Sequence, residues 1–375
     1  MDRPINYSLG ALFPERKSPF PNKFNGRGVE GRRVLVTGAG GSIGSGLAER
    51  ILQAVPSKLL LMDHSEHSLH ELSRKIQAEK LGRRADIVLG DVGDDALIEC
   101  LLAREKPQII FHAAAFKHVP LLEQNRIAAI ENNALATWRL ARTAAASGVE
   151  QLILISTDKA ANPQSTLGVS KRLAELAVLR WNSNCRPMCA LRLGNVAGSS
   201  GSVIPLFAEQ IAKGEAVTVT DPLVSRYFLT MEEACNAILQ LGSAINESGL
   251  FVTDMGEQVA ITALANRMIE AGGGAGTDRS QVKLVGLRPG DKLHEDILSR
   301  EELLGAEISA GIRKIITRPF SSTWLDEKFE QVQERTRRRD MDSLLQLLQE
   351  MVPEYRPNLK IWSDKSAAAA NGSRK

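Results

Sequence analysis

The sequence predicts an α/β fold: a doubly wound, mostly parallel sheet with helices on both faces, followed by a smaller lobe. Six short apolar runs alternate with helical patterns between about residues 33 and 195, and that alternation builds a parallel sheet buried on both faces. After Asn195 the texture changes to shorter segments with more loops. With 375 residues, 43% of them hydrophobic, the chain is long enough for both parts.

Residues 1–31, with "FPERKSPFPNKFNGRG", are rich in Pro, Asn and Gly and carry no sustained period, so they read as a leader lying against the body or a partner. The strand runs of segment 32–195 are "RVLVTG", "KLLLMD", "ADIVLGD", "QIIFHAAA", "QLILIST" and "CALRLGN". Segment 196–320, with "AVTVTDP", "GLFVTDMGE" and "QVKLVGLRPG", is expected to form the lobe, with some return to the core. In doubly wound enzymes such a lobe sits over the carboxyl ends of the strands and closes on a ligand. Segment 321–355 carries one long helical pattern, and 356–375 reads as a disordered tail.

Composition excludes several classes. A net charge of +3 with dispersed basic residues makes no case for nucleic acid, and "RTRRRD" lies inside a helical pattern as a solvated face. Cys100, Cys185, Cys189 and Cys235 form neither a disulfide framework nor a CxxC pair, so a reducing cytoplasm is the default, with Cys185 and Cys189 as buried thiols. No window approaches a membrane span, and no signal-peptide core opens the chain. His64, His67 and His70 are spaced by three, but the first and third diverge by about two-thirds of a turn on a helix, so no metal site is expected.

"RVLVTGAGGSIGSGLAERIL" sets glycines at 38, 41 and 44 between a strand and an amphipathic helix. Gly38 permits a tight turn, Gly41 lets the backbone approach a pyrophosphate, and Gly44 lets helix pack on strand; the helix start, with Ser42 and Ile43, offers free N–H groups. Asp63 ends the next apolar run, where it can accept hydrogen bonds from ribose hydroxyls and would repel a 2′-phosphate. A Rossmann-type dinucleotide site follows, with NAD favoured over NADP. Asp91 and Val92 are placed to meet the adenine edge, and Ala113, Ala114 and Ala115, after the fourth strand, complete the candidate cofactor contacts.

These residues resemble a family: the extended short-chain dehydrogenases and, within them, the CapD-like polysaccharide-biosynthesis dehydratases acting at positions 4 and 6 of UDP-N-acetylglucosamine, here in a soluble form. The matching words include "VLVTGAGGSIGS", "HAAAFKHVPLLE", "STDKAANP", "GVSKR", "RLGNVAGSSGSVIPLF", "VTVTDPLVSRYFLTMEEA", "DMGE" and "GLRPGDKLHEDI", in order over about 70% of the chain. Short-chain dehydrogenases place a Tyr four residues before the helix Lys. Lys171 is present here, but that position is Leu167. The membrane-anchored branch of the family also lacks the Tyr and relies on a Thr-Asp-Lys triplet, matched by Thr157, Asp158 and Lys159; this chain has a leader where those relatives have spans.

The resemblance implies an internal redox reaction: hydride passes from C4 of the sugar to NAD, water leaves across C5 and C6, and hydride returns to C6. Thr157 would bind the C4 hydroxyl, Lys159 would be the base at C5, Asp158 the acid at the C6 hydroxyl, and Lys171 would hold the nicotinamide ribose. Such a base needs a lowered pKa and such an acid a raised one. Lys117 and Glu123 would face the substrate, with His118 as a packed loop residue. Asn133 would support the site's backbone within the substrate set. Asn195, Ser202, Val203, Arg226 and Arg288 match UDP-sugar contacts, with arginines suited to a diphosphate, and Glu295 would close the site. A homo-oligomer is expected, with the C-terminal helix as one means of self-association. A C4-epimerase, a C5-inverting or 5,6-eliminating variant, and a non-catalytic NAD-binding protein are the competing readings.

Overall fold

The computed structural model describes residues 7–18, 20, 24–78, 84–181, 187–272 and 281–357. All six apolar runs are strands: β1 (Arg33–Thr37), β2 (Lys58–Asp63), β3 (Ala85–Leu89), β4 (Ile109–His112), β5 (Gln151–Thr157) and β6 (Met188–Leu193). They pair in parallel in the order β3-β2-β1-β4-β5-β6. Strand Gly249–Thr253 adds in parallel to β6, and the antiparallel hairpin Leu303–Ser309/Ile312–Ile316 closes that edge, making nine strands. The order of winding reverses between β1 and β4, and a crevice opens outside the carboxyl ends of strands at such a point.

The central strands read as continuous apolar runs because both faces are covered: β4 and β6 are buried at every position. β3 is the edge, and Ile87 and Leu89 are exposed there. The smaller lobe has its own core of Ile204, Phe207, Phe228, Leu264 and Met268, built on helices Val203–Ala212 and Ile261–Ala271 with three short two-stranded ladders. The "GLFVT" run belongs to the large sheet rather than to the lobe.

The leader lies against the body over its described part. Leu9, Leu12 and Phe13 join the lobe core, Phe20 joins the main core, and Arg16 between them bonds Glu233 at 2.6 Å and the carbonyl of Phe228. The C-terminal pattern, expected as one long helix, is two: Ser322–Arg338 and Met341–Met351. Arg339 turns left-handed at φ +55°, and Asp340 caps the second helix by accepting from Ser343 N. Their apolar faces pack on Ile130, Val169 and Trp138, whose ring stacks on Phe329, so that stripe is covered within the chain. Burial pushes the Cys189 and Cys235 thiols up to about 12; Cys185 and residues 358–375 lie outside the described residues. Among the described residues no helix is long and apolar enough to cross a membrane.

Candidate active site

The glycine loop has the shape the sequence demands. Gly38 sits at φ +69°, and a Cβ there would lie 2.5 Å from Ala114 N; a Cβ on Gly44 would lie 2.0 Å from Gly38 O. Gly41 begins helix Ser42–Gln53 without any side-chain cap, so the first N–H groups of the helix are left for a ligand. Gly40, which the sequence reading passed over, is needed too: a Cβ would come 2.4 Å from Ser68 Cβ. Its N–H donates to Asp63 Oδ2 at 3.0 Å, so the loop and the carboxylate at the end of β2 form one cradle. Ala113 N donates to Thr37 O, setting the backbone of 113–115 along the loop. Asp91 Oδ1 accepts from Gly93 N, while the Val92 side chain belongs to the core rather than to a ligand edge. This cradle of missing Cβ atoms and uncapped N–H groups fits a dinucleotide.

At the end of β5 the chain turns sharply through Asp158–Ala160. Thr157 Oγ1 donates to Asp158 Oδ1 at 2.9 Å, and Lys159 Nζ reaches Asp158 Oδ1 and Asn195 Oδ1, both at 3.0 Å. Glu295 Oε1 lies 3.3 Å from the same Nζ and 3.4 Å from Arg226 Nε. Residues from four separate segments thus meet at one point. Asp158 is fully buried, and burial, reinforced by Glu295, lifts its carboxyl above the ordinary value against the pull of Lys159. Its Oδ2 and the Oε2 of Glu295 are buried with no hydrogen-bond partner, which suits groups that meet a ligand. A narrow cleft beside them is lined by Val119, Lys159, Gln164, Ser165, Lys292 and Glu295.

Several expectations need correction. Lys159 was expected to have a lowered pKa; although burial opposes its charge, Asp158 and Glu295 outweigh it and hold the ammonium above its ordinary value. Arg226 was assigned to a diphosphate, but its guanidinium donates to the carbonyls of Ser225, Lys292 and Leu293 because it stitches the lobe to the Glu295 segment. Glu123, expected to face the substrate, accepts from Thr166 N at 2.6 Å, holding the start of helix Thr166–Leu179. Asn133 is buried; its Oδ1 accepts from Phe116 N while its Nδ2 donates to Phe116 O and Ser170 Oγ, so it holds the backbone of the loop after β4 as expected, with its polar atoms spent there. It sits in a π-helical turn, Ile130–Leu135.

Elsewhere, Lys117 lies 3.5 Å from Ser199, Ser200 N donates to Ser42 Oγ, and Ser202 precedes helix Val203–Ala212 with its buried hydroxyl unpartnered. His118 is exposed with its ring against Gly201. Arg288 is exposed and pairs with Asp291, which lines the cleft, at 3.0 Å. Leu167 is buried with Leu122 and Ala129, so apolar packing fills the position usual for Tyr. Lys171 is buried, donates to Ile155 O at 2.7 Å, and is drawn down to about 8 by burial, with Glu175 opposing. His112 is held neutral between Thr37 and Thr137, its pKa drawn down to about 3 by burial and Lys171.

The sequence reading missed a second charge cluster. Arg192 uses all five N–H donors: on Glu175 Oε1 and Oε2, on Glu302 Oε1 and Oε2, and on the carbonyl of Ile297. Arg172 bridges the same two carboxylates at 3.0 Å, and Ser156 Oγ donates to Glu175 at 2.7 Å. The available signal was an arginine inside "CALRLGN", a run expected to be buried on both faces, where a cation requires partners.

A family model described as polysaccharide biosynthesis protein matches residues 34–315. The chain is 40% identical to the probable polysaccharide biosynthesis protein EpsC of Bacillus subtilis over 75% of its length, and 40% identical to the capsular polysaccharide biosynthesis protein CapD of Staphylococcus aureus over 74%. It spans about half the length of these relatives, 47% of each. A UDP-glucose 4-epimerase of Rickettsia bellii is 30% identical over 74% of this chain and 80% of that one. Among solved structures, Pen from Bacillus thuringiensis superposes with a TM-score of 0.69 at 25% identity, covering 77% of this chain and 90% of that one. DesIV, a dTDP-glucose 4,6-dehydratase from Streptomyces venezuelae with NAD and TYD bound, gives 0.60 at 22% identity, covering 71% and 88%, and shares the fold.

Proposed function

The chain belongs to the polysaccharide biosynthesis protein family, and from that premise we propose that it is an NAD-dependent nucleotide-sugar 4,6-dehydratase acting on UDP-N-acetylglucosamine. The observation that carries the reading is the hydrogen-bonded set of Thr157, Asp158 and Lys159 at the end of β5, next to a Tyr position filled by a packed leucine. Gly38, Gly41, Ser42, Ile43 and Gly44 would hold the pyrophosphate of NAD and Asp63 its ribose hydroxyls, while a 2′-phosphate would meet the Asp63 charge. When bound, NAD supplies a hydride acceptor that oxidises C4 and later returns the hydride to C6.

The C4 ketone acidifies the C5 hydrogen. Thr157 then orients the C4 oxygen, Lys159 accepts the C5 proton, and Asp158, raised by burial, donates a proton to the C6 hydroxyl so that it leaves as water. Lys171, at about 8, would serve the nicotinamide ribose. Ser202 and the start of the helix after it, with Asn195, would take the nucleotide diphosphate.

Incubating the purified chain with NAD and UDP-N-acetylglucosamine tests this, with NMR and mass spectrometry following the sugar. A 4-keto-6-deoxy product lighter by one water is expected. A UDP-N-acetylgalactosamine product of unchanged mass would install the second reading, a C4-epimerase, which the Rickettsia relative favours. No conversion would overturn the substrate assignment.

A further inference from the structure

Lys159 Nζ is surrounded by three acceptors: Asp158 Oδ1 and Asn195 Oδ1 at 3.0 Å and Glu295 Oε1 at 3.3 Å. An ammonium has three N–H donors and no lone pair, whereas a neutral amine has a lone pair that wants a donor. The geometry is therefore that of an ammonium, which cannot accept the C5 proton. One of the three acceptors has to relieve it. Asp158 shares its turn, and Asn195 offers a neutral amide that binds no proton. Glu295 arrives on a separate segment, has a buried and unpartnered Oε2, and is flanked by Arg226 Nε at 3.4 Å and Lys292 Nζ at 4.0 Å.

We propose that Glu295 is the proton partner of Lys159, holding the ammonium in this arrangement and taking its proton to produce the amine that elimination requires, with Arg226 setting the direction. Its chemical purpose rests on the dehydratase reading; its measurement does not. The transfer balances without a co-reactant: an N–H bond of Lys159 breaks, an O–H bond forms on Glu295, and a +/− pair becomes a neutral pair. Arg226 stabilises the carboxylate in this arrangement. The other charges around the pair are Asp158 on the β5 turn and Lys292 with Asp296, bonded at 3.0 Å; Asp291 stands at the cleft edge. In this role Glu295 is a positioning residue, acting on substrate only through Lys159.

The test is a competitive acylation titration of the full chain across pH, read by mass spectrometry on the peptide that carries Lys159. Glu295→Gln should lower the midpoint of Lys159 by about one unit or more, the usual effect of losing an opposite charge at this range, while Glu295→Asp should keep much of the wild-type value. An E295Q midpoint equal to wild type, or an E295D midpoint as low as that of E295Q, would overturn the proposal. Should E295Q fail to fold, Arg226→Gln carries the test with opposite sign: losing that cation should raise the midpoint, and no change would overturn it. Failure of wild-type protein to convert UDP-N-acetylglucosamine would remove the dehydratase reading and leave this titration intact.

Discussion

Two clusters of buried charge lie on neighbouring residues of β5, and they are built to different standards. Ser156 joins the Arg192 network, in which all five guanidinium donors and both oxygens of Glu175 and of Glu302 are engaged. Thr157 joins the Lys159 cluster, in which Asp158 Oδ2 and Glu295 Oε2 are buried without partners. Successive residues of an extended strand point to opposite faces, so one strand end serves both clusters. Unsatisfied buried polar atoms are costly in a fold and useful in a site. The difference assigns the first cluster to stability and the second to chemistry.

The largest expected effect sharpens the chemical side. Lys159→Met should lower kcat by about 10²–10⁴-fold, the usual contribution of a positioned base, with NAD affinity near wild type and a smaller stability loss than Arg192→Met, because Arg226 and Lys292 still flank Glu295. A large stability loss instead would move the Lys159 cluster to the structural side. Arg192→Met should do the reverse: it strands Glu175 and Glu302 and should cost about 3–5 kcal/mol of unfolding free energy, read by urea denaturation. A well-folded R192M protein would break the comparison.

A pH experiment comes next in size. Lys171 is drawn down to about 8 in the fold, against about 10.4 in an unfolded chain. The unfolded state therefore binds the extra proton between those values, and stability should rise with pH through that window, by at most about 3 kcal/mol. Below pH 8 the penalty of burying the ammonium is fully present. Lys171→Met should flatten that slope; an unchanged slope would show that Lys171 is not the titrating group. Smallest of all, Ser156→Ala should cost about 1 kcal/mol for one hydrogen bond to Glu175, without altering the pH dependence of turnover.

Legibility followed the range of the interactions. The six strands were readable because a strand covered on both faces needs apolar residues throughout, and the glycine loop because Gly38, Gly41 and Gly44 answer to clashes within a few residues or with the next strand end. The triplet was visible only through resemblance, since "TDK" alone is also an ordinary polar strand end. The raised pKa of Lys159 was only half visible: Asp158, the larger raising influence, is its sequence neighbour, whereas Glu295 lies on a segment far along the chain. The hairpin Leu303–Ser309/Ile312–Ile316 was folded into the lobe because nothing local says which sheet edge a hairpin will join. The break at Arg339 was hidden within a continuous helical period, although Asp340 three residues before Ser343 is a capping signal.

The most direct measurement is solvent deuterium at C5 of the sugar. Wild-type protein turning over UDP-N-acetylglucosamine in deuterated water should give a 4-keto-6-deoxy product carrying deuterium at C5, and Lys159→Met should give none. Product without deuterium at C5 from the wild type, or full incorporation by the K159M protein, would contradict the assignment of Lys159 as the group that moves that proton.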